Sequence, residues 1–162
     1  MLADLDTKVK KELIEEIDLG PFKQKMDHGI PVRRAAYQML ETMYDRAKDQ
    51  VNAVKIVDSI NSAGLVDTCE ECIVMNLNLL VKLCQFSSIV VVSRIDQIIG
   101  VIEPLHARNI KQVSKAESAM SIVRAALRVV HVLGMSQELQ ENPNGRFNDF
   151  VAMQILQNPD SK

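Results

Sequence analysis

With 162 residues, 47% of them hydrophobic, the chain is long enough to bury the core of one domain. Its formal net charge of −2 creates no basic field that would attract DNA, RNA or anionic lipid, so we expect neither nucleic-acid nor membrane binding. Three cysteines fit a reducing compartment better than a disulfide framework, and Arg94 and Asp96 interrupt the longest apolar run. A soluble protein of the cytoplasm or nucleus is therefore expected.

The first residues predict two helices. Apolar residues recur at helical spacing from about residue 4 to 18, and Gly20-Pro21 would end that helix. Pro31 suits the first turn of a second helix, because its missing N–H has no partner to lose there, and that helix would run to about Arg46. Its inward stripe would be Val32, Ala36, Met39 and Met43.

Capping signals place the next two helices. A third helix is expected from about Gln50 to Gly64. A fourth would begin at Asp67 or Thr68, since each is followed three positions later by a Glu that can close a capping box, and would reach about Phe86.

The second half of the chain also predicts helices. A fifth helix would begin at a serine N-cap, cover about residues 87–103 and end ahead of Pro104. A capping box formed by Ser114 and Glu117 would open a sixth helix that ends at Gly134. The inward stripes would be Ile73, Leu77, Leu80 and Cys84 in helix four and Val123, Ala126, Val130 and Leu133 in helix six.

Helices two, four and six recur at intervals of roughly 40 residues, each after a partner helix and a turn. This period is typical of HEAT and armadillo repeats, and three units are the practical minimum for a stable solenoid. The sequence therefore predicts an all-α, HEAT/armadillo-like α-solenoid of about three helix-pair repeats. A single domain would cover residues 1–162, with residues 135–162 as a polar tail that carries a short final helix over about 148–156.

The arginine pair of the second helix has two expected roles. Arg33 would bridge back to Asp27 in the preceding turn and so belong to the scaffold. Arg34 would instead lie on a polar stripe, and the polar stripes of helices two, four and six would share one surface. Such a surface is a usual place for a protein partner, although a solvated face explains any single stripe equally well. The candidate contacts on it are Arg34, Lys82, Arg124 and Arg128.

The sequence offers little support for catalysis or for a cofactor. Cys69 and Cys72 could begin a zinc site or a redox pair, but no second CxxC and no histidine pair at ligand spacing accompanies them. His28, His106 and His131 are scattered and form no triad pattern. We therefore expect no enzyme, no metal and no cofactor, with a thiol-redox protein as the less favoured alternative.

Several stretches resemble the C-terminal region of the cullin-associated and neddylation-dissociated (CAND) proteins, also called TATA-binding-protein-interacting proteins. The first is TKVKKELIEEIDLGPFKQKMDHGIPVRRAAYQMLETMYDR, in which LGPFK and the Val-Arg-Arg-Ala-Ala helix start are the most specific pieces. LLVKLCQFSSIVVVSRIDQIIGVIEPL and KAESAMSIVRAALRVV are similar to later helices of that family. VDTCEECIVMNLN and the short HARNIKQVSK linker depart from its pattern, as in a divergent member.

The resemblance implies a non-enzymatic protein that forms one end of a longer HEAT-repeat solenoid. CAND proteins wrap around a cullin–RING ubiquitin ligase scaffold that lacks its ubiquitin-like modifier, and they promote exchange of its adaptor and substrate-receptor modules. We therefore expect this chain to bind such a scaffold. The alternative is a HEAT scaffold for another partner, such as the TATA-binding protein. As the end of a solenoid, the chain should expose an apolar surface near Leu5, Val9 and Ile14.

Overall fold

The computed structural model describes residues 9–18, 20, 22–114 and 116–157, and most of them are helical. The helices are α1 (Ile30–Ala47), α2 (Ala53–Ser59), α3 (Glu70–Phe86), α4 (Ser88–Val92), α5 (Ile95–Ile110), α6 (Glu117–Gly134), α7 (Gln137–Glu141) and α8 (Gly145–Gln157). A π-helical turn over Ile60–Gly64 follows α2. None of these helices combines the length and the apolar character that crossing a membrane requires.

The helices stack as a HEAT-like solenoid requires. α3 packs against α1 on one side and, more extensively, against α6, whereas α5 packs against α6 and α8. The inward stripes predicted for the fourth and sixth helices are buried in α3 and α6, and side chains such as Leu80 and Ile122 are inaccessible. The predicted all-α, HEAT-like fold is therefore confirmed.

The first predicted helix is wrong where the structure describes it. In its place, β1 (Ile14–Asp18) and β2 (Lys23–Asp27) form an antiparallel hairpin after a single 3₁₀ turn over Lys11–Leu13. Val9 and Ile14 of the expected apolar end are half-buried, and Leu5 lies outside the described residues.

Turn chemistry explains why the hairpin forms instead of the helix. Gly20 has φ +86°, a left-handed conformation that glycine adopts readily, and its N–H donates to Asp18 Oδ1 at 2.9 Å. Lys23 then pairs across the strands with Glu16 at 2.9 Å. At the base of the hairpin, the backbone N–H of His28 donates to the Leu13 carbonyl at 2.9 Å. These contacts form only when the chain reverses, so they override the helical periodicity.

The second predicted helix exists as α1, but its inward stripe is wrong at two of its four positions. Val32 is 50% exposed and Met39 is 46% exposed, while Ala36 is buried and Met43 is half-buried. The buried face of α1 is formed by Arg33, Ala36, Tyr37, Leu40 and Tyr44. An apolar pattern could not show this face, because a charged side chain occupies its first position.

The predicted capping boxes do not form. α3 begins at Glu70 with Cys69 as its N-cap, and α6 begins at Glu117 with Ala116 as its N-cap; neither cap residue accepts a side-chain hydrogen bond. Ser114 lies in the turn before α6. Asp67 lies two residues before the N-cap of α3; its carboxylate accepts from the backbone N–H of Cys69 at 2.9 Å and is buried in a contact with α1, described below.

The fifth predicted helix is two helices, with a break at Ser93-Arg94 between α4 and α5. Arg94 lies at the break and pairs with Asp58 of α2 at 2.5 Å. Pro104 does not end the helix as predicted, because α5 continues through it to Ile110. A proline inside a helix removes one backbone hydrogen bond, and here the buried residues on both sides of Pro104 keep the segment helical.

Candidate protein-interaction surface

A buried arginine connects three parts of the structure. The Arg33 guanidinium donates to Asp27 Oδ2 at 2.8 Å, and through two nitrogens to both carboxylate oxygens of Asp67 at 2.9 Å. The side chains of Arg33 and Asp67 are 2% and 0% exposed. The predicted bridge to Asp27 is confirmed, but Asp67 was not predicted as a partner. The contact fixes the base of the hairpin to α1 and to the turn that precedes α3.

The ion pairs favour the charged forms of Arg33 and Asp27 in this cluster. The hydrogen bonds to Asp67, followed by those to Asp27, raise the pKa of Arg33 above its ordinary value. The bonds that Arg33 donates lower the pKa of Asp27. Burial, together with the negative charge of Asp67, raises the pKa of Tyr37. The cluster is therefore a structural tie built on ion pairs.

Ion pairs connect the polar stripes of α1 and α3. Arg34 pairs with Glu71, and Lys82 Nζ contacts Asp45 at 2.7 Å and Glu41 at 2.8 Å. The hydrogen bonds to Asp45 and Glu41 raise the pKa of Lys82. The two stripes do lie side by side. Two of the four predicted contact residues, Arg34 and Lys82, are consequently occupied within the chain.

The other two predicted contact residues lie on α6, the next helix of the stack. Arg124 and Arg128 are one turn apart and exposed, as is His131 one turn further on. Within the part of the chain that the structure describes, no carboxylate forms an ion pair with either arginine. Among the described residues, Arg124 and Arg128 are thus the two candidate contacts without an ion pair.

Exposed apolar side chains near the hairpin were not anticipated from the sequence. Phe22, at the turn of the hairpin, is 63% exposed, and Met26 of β2 is also exposed. They add to Val32 and Met39 on the outer face of α1. Exposed apolar groups mark an interaction surface when they form one contiguous patch. The only sequence signal for them was the Gly-Pro step before Phe22, which favours a chain reversal.

The cysteine motif lies at the start of α3. Cys69 is the N-cap of α3 and Cys72 is buried in its first turn. Burial, followed by the hydrogen bond with Cys69, raises the pKa of the Cys72 thiol to about 12, which disfavours the reactive thiolate. Among the residues that the structure describes, no three His, Cys, Asp or Glu side chains are grouped closely enough to hold a metal ion.

The buried His106 makes stability dependent on pH. Its ring lies edge-on to Phe150 at 6.0 Å between centroids, and burial lowers its pKa below 6.5. The unfolded chain then binds the proton more readily, so stability is complete above about pH 6.5 and falls below it. We expect the thermal midpoint to drop between pH 7.5 and pH 5 in the natural chain, and to drop less in His106→Leu. His131→Leu, at an exposed histidine, should retain the full pH dependence; equal slopes in all three proteins would exclude His106 as the cause.

Comparison with known proteins gives one family and several longer relatives. A family model described as TATA-binding protein interacting (TIP20) matches residues 2–154. The chain is 32% identical over 151 residues to the cullin-associated NEDD8-dissociated protein 1 of Drosophila melanogaster, covering 90% of this chain and 12% of that protein. It is 28% identical over 163 residues to the cullin-associated NEDD8-dissociated protein 2 of Mus musculus, covering 96% of this chain and 12% of that protein.

A third relative matches a shorter stretch. The C-terminal part of the cullin-associated NEDD8-dissociated protein 1 of Emericella nidulans is 51% identical over 39 residues, which is 24% of this chain. The chain spans 12% of the length of the Drosophila and mouse relatives. Their similarity thus concerns one segment of much longer proteins.

Proposed function

The chain belongs to the TATA-binding protein interacting (TIP20) family, and from that premise we propose that it is a non-enzymatic interaction module for a cullin–RING ubiquitin ligase scaffold lacking its ubiquitin-like modifier. Its relatives are named for association with cullins and for dissociation from NEDD8. The observation that carries the proposal at the level of residues is the exposed pair Arg124 and Arg128, which lies on the stacked helices of a solenoid without an acidic partner among the described residues.

The stack of α1, α3 and α6 supports a surface for a protein rather than a site for a small molecule. Helix-pair arrays present side chains of successive helices on one extended face, which suits a large, relatively flat partner. Of the four candidate contacts, Arg34 and Lys82 are neutralised by ion pairs between α1 and α3, so the two that remain unpaired among the described residues are Arg124 and Arg128 of α6. An acidic patch on the cullin would complement that charge and accelerate association.

The mechanism we propose is steric. When the module covers part of the cullin surface that an adaptor needs, binding of one weakens binding of the other. Exchange then follows if the ternary complex is populated briefly and is less stable than either binary complex. Because this coupling is reciprocal, the adaptor must weaken binding of this chain by the same factor by which this chain weakens binding of the adaptor.

The double variant Arg124→Glu/Arg128→Glu is expected to weaken binding to a purified, unmodified cullin–RING pair by roughly tenfold or more, chiefly through slower association, because two favourable charges become repulsive. Isothermal titration gives the affinity and stopped-flow mixing gives the rate. The matched control is Lys55→Glu/Lys111→Glu, which makes the same change in net charge at exposed positions outside α1, α3 and α6.

The possible results distinguish an error in the proposed contact surface from an error in the proposed function. If both double variants bind equally well, Arg124 and Arg128 are not contacts and the α6 face is removed from the proposal. If the natural chain binds the modified and unmodified cullin–RING pairs with equal affinity, or binds neither, the proposed function itself is wrong.

The second candidate partner is the TATA-binding protein, after which the matching family is named. The same titration with purified TATA-binding protein in place of the cullin–RING pair discriminates the two. Saturable binding to the TATA-binding protein alone would favour a scaffold in transcription over one in ligase assembly.

A further inference from the structure

We propose that the chain carries a second docking site, a groove between the turn after the π-helix and α5, and that this groove binds a short aliphatic and acidic peptide segment of a partner protein. The groove is formed by residues of α5 and of the turn near Val66, none of which belongs to the surface on α1, α3 and α6. The proposal is therefore independent of cullin binding.

The groove has an apolar floor and an apolar wall. Its volume is about 400 Å³, within the usual range for sites that enclose a few groups of a ligand. Leu65 and Leu105 form the buried floor, whereas Val66 is 58% exposed at the wall and Pro104 is exposed opposite it. Val66 would lose its exposure to water if an apolar group of a ligand packed against it, and that burial is favourable. The space in the groove suits one or two aliphatic side chains.

The backbone of α5 adds a hydrogen-bond acceptor to the groove. Pro104 has no N–H, so the carbonyl of Gly100 lacks the donor that an α-helix normally supplies from four residues further on. Gly100 lines the groove and has no side chain to shield that carbonyl. The N–H of a bound peptide in extended conformation can satisfy it, which favours a peptide over an apolar small molecule.

Arg108 determines the charge of the ligand. It is exposed at the end of the groove, and among the residues that the structure describes no carboxylate pairs with it. The other charged groups nearby largely compensate one another: Arg146 lies beside Gly100 and contacts Glu103 at 3.6 Å. Among the described residues that line the groove Arg108 is the one cation, which suits one carboxylate but is far too little for a nucleic acid, whose binding needs several cations.

The spacing of these groups defines the peptide. Gly100 and Arg108 are eight residues apart on one helix, which corresponds to about 12 Å along its axis at 1.5 Å per residue. An extended peptide rises about 3.3 Å per residue, so about four residues separate the N–H that meets Gly100 from the acidic side chain that meets Arg108. The aliphatic side chains lie between these two points, against Val66.

Selection from a library of randomised eight-residue peptides tests this inference. The natural chain should enrich peptides in which an aliphatic pair lies within about three positions of an Asp or Glu. Arg108→Glu should bind the best of these peptides about tenfold more weakly and should itself enrich Lys or Arg at the same position. Val66→Asp should lose the selected peptides, while Ile89→Asp, which changes another exposed aliphatic residue outside the groove, should retain them.

The inference is overturned if no peptide is enriched, if the selected peptides bind Val66→Asp as well as the natural chain, or if Arg108→Glu leaves the preferred charge unchanged. The charge reversal is informative even where one variant folds poorly, because it requires a gain of binding to basic peptides that an unfolded chain does not provide.

Discussion

Arg33→Ala is expected to lower the free energy of unfolding by about 3–5 kcal/mol, the usual cost of removing one partner from a buried ion pair. The substitution leaves the inaccessible Asp67 carboxylate, and the largely buried one of Asp27, without their counter-ion. Urea denaturation followed by circular dichroism, with linear extrapolation to water, measures the loss.

The neighbouring arginine provides a matched control. Arg34 also pairs with a carboxylate, that of Glu71, but the two side chains are 42% and 57% exposed, and solvent-accessible pairs contribute less than about 1 kcal/mol. Arg33→Lys should lie between the two alanine variants, because an ammonium cannot reproduce the forked contact with Asp67. A loss in Arg33→Ala no larger than that in Arg34→Ala would contradict the structural role of the buried cluster.

Gly64→Ala is expected to cost about 1–3 kcal/mol or more, as overpacking of a well-filled core does. A Cβ at Gly64 would lie 2.3 Å from the side chain of Asn76. Asn76 cannot turn away freely, because its side-chain amide donates to the carbonyl of Cys72 at 2.8 Å. Gly64 has a negative φ, so the cost arises from this contact and not from backbone strain. Thermal and urea unfolding of the variant measure the effect.

A double-mutant cycle isolates that contact. Asn76→Ala should relieve the overlap, so the double variant Gly64→Ala/Asn76→Ala should lose less stability than the sum of its two single variants. Gly145→Ala is the control for an added methyl group, because a Cβ there meets no atom within 4 Å. If the losses of stability in the two single variants are additive, the π-helical turn accommodates the added methyl group without a clash with Asn76 of α3.

The solenoid could be predicted from the sequence because its signals are local. The interval of about 40 residues reflects the length of a helix pair, and the apolar stripes of α3 and α6 are complete enough to identify their buried faces. α6 in particular buries Val123, Ala126, Val130 and Leu133 as predicted.

The hairpin and the face of α1 could not be predicted, because they depend on contacts distant in sequence. Helical spacing in the first residues was real, but the turn at Gly20 and the tie from Asp27 to Arg33 stabilise strands instead. The burial of the Arg33 side chain in turn depends on its hydrogen bonds to Asp67, which lies 34 residues further along the chain. A pattern of apolar residues cannot reveal that a charged side chain is buried. The prediction therefore placed Val32 and Met39, instead of Arg33, in the core.

The candidate surface was predicted only in part for the same reason. The pattern of polar residues identifies all four cations as solvent-facing. It does not show that Arg34 and Lys82 find their carboxylates 37 residues away across the α1–α3 contact, whereas Arg124 and Arg128 find none among the described residues. Cations that the polar pattern assigns to one surface thus differ in what they can offer a partner.

The placement of α3 between α1 and α6 also has a consequence for the order in which the chain opens. In a linear array each unit is stabilised by its neighbours alone. α6 contacts α3, α5 and α7, whereas α1 has a smaller contact with α3 and carries a two-stranded hairpin of a kind that is marginal by itself. Local unfolding should therefore start at the hairpin and α1 and spread towards α6, with the Arg33 cluster as the last tie to break before the first unit detaches.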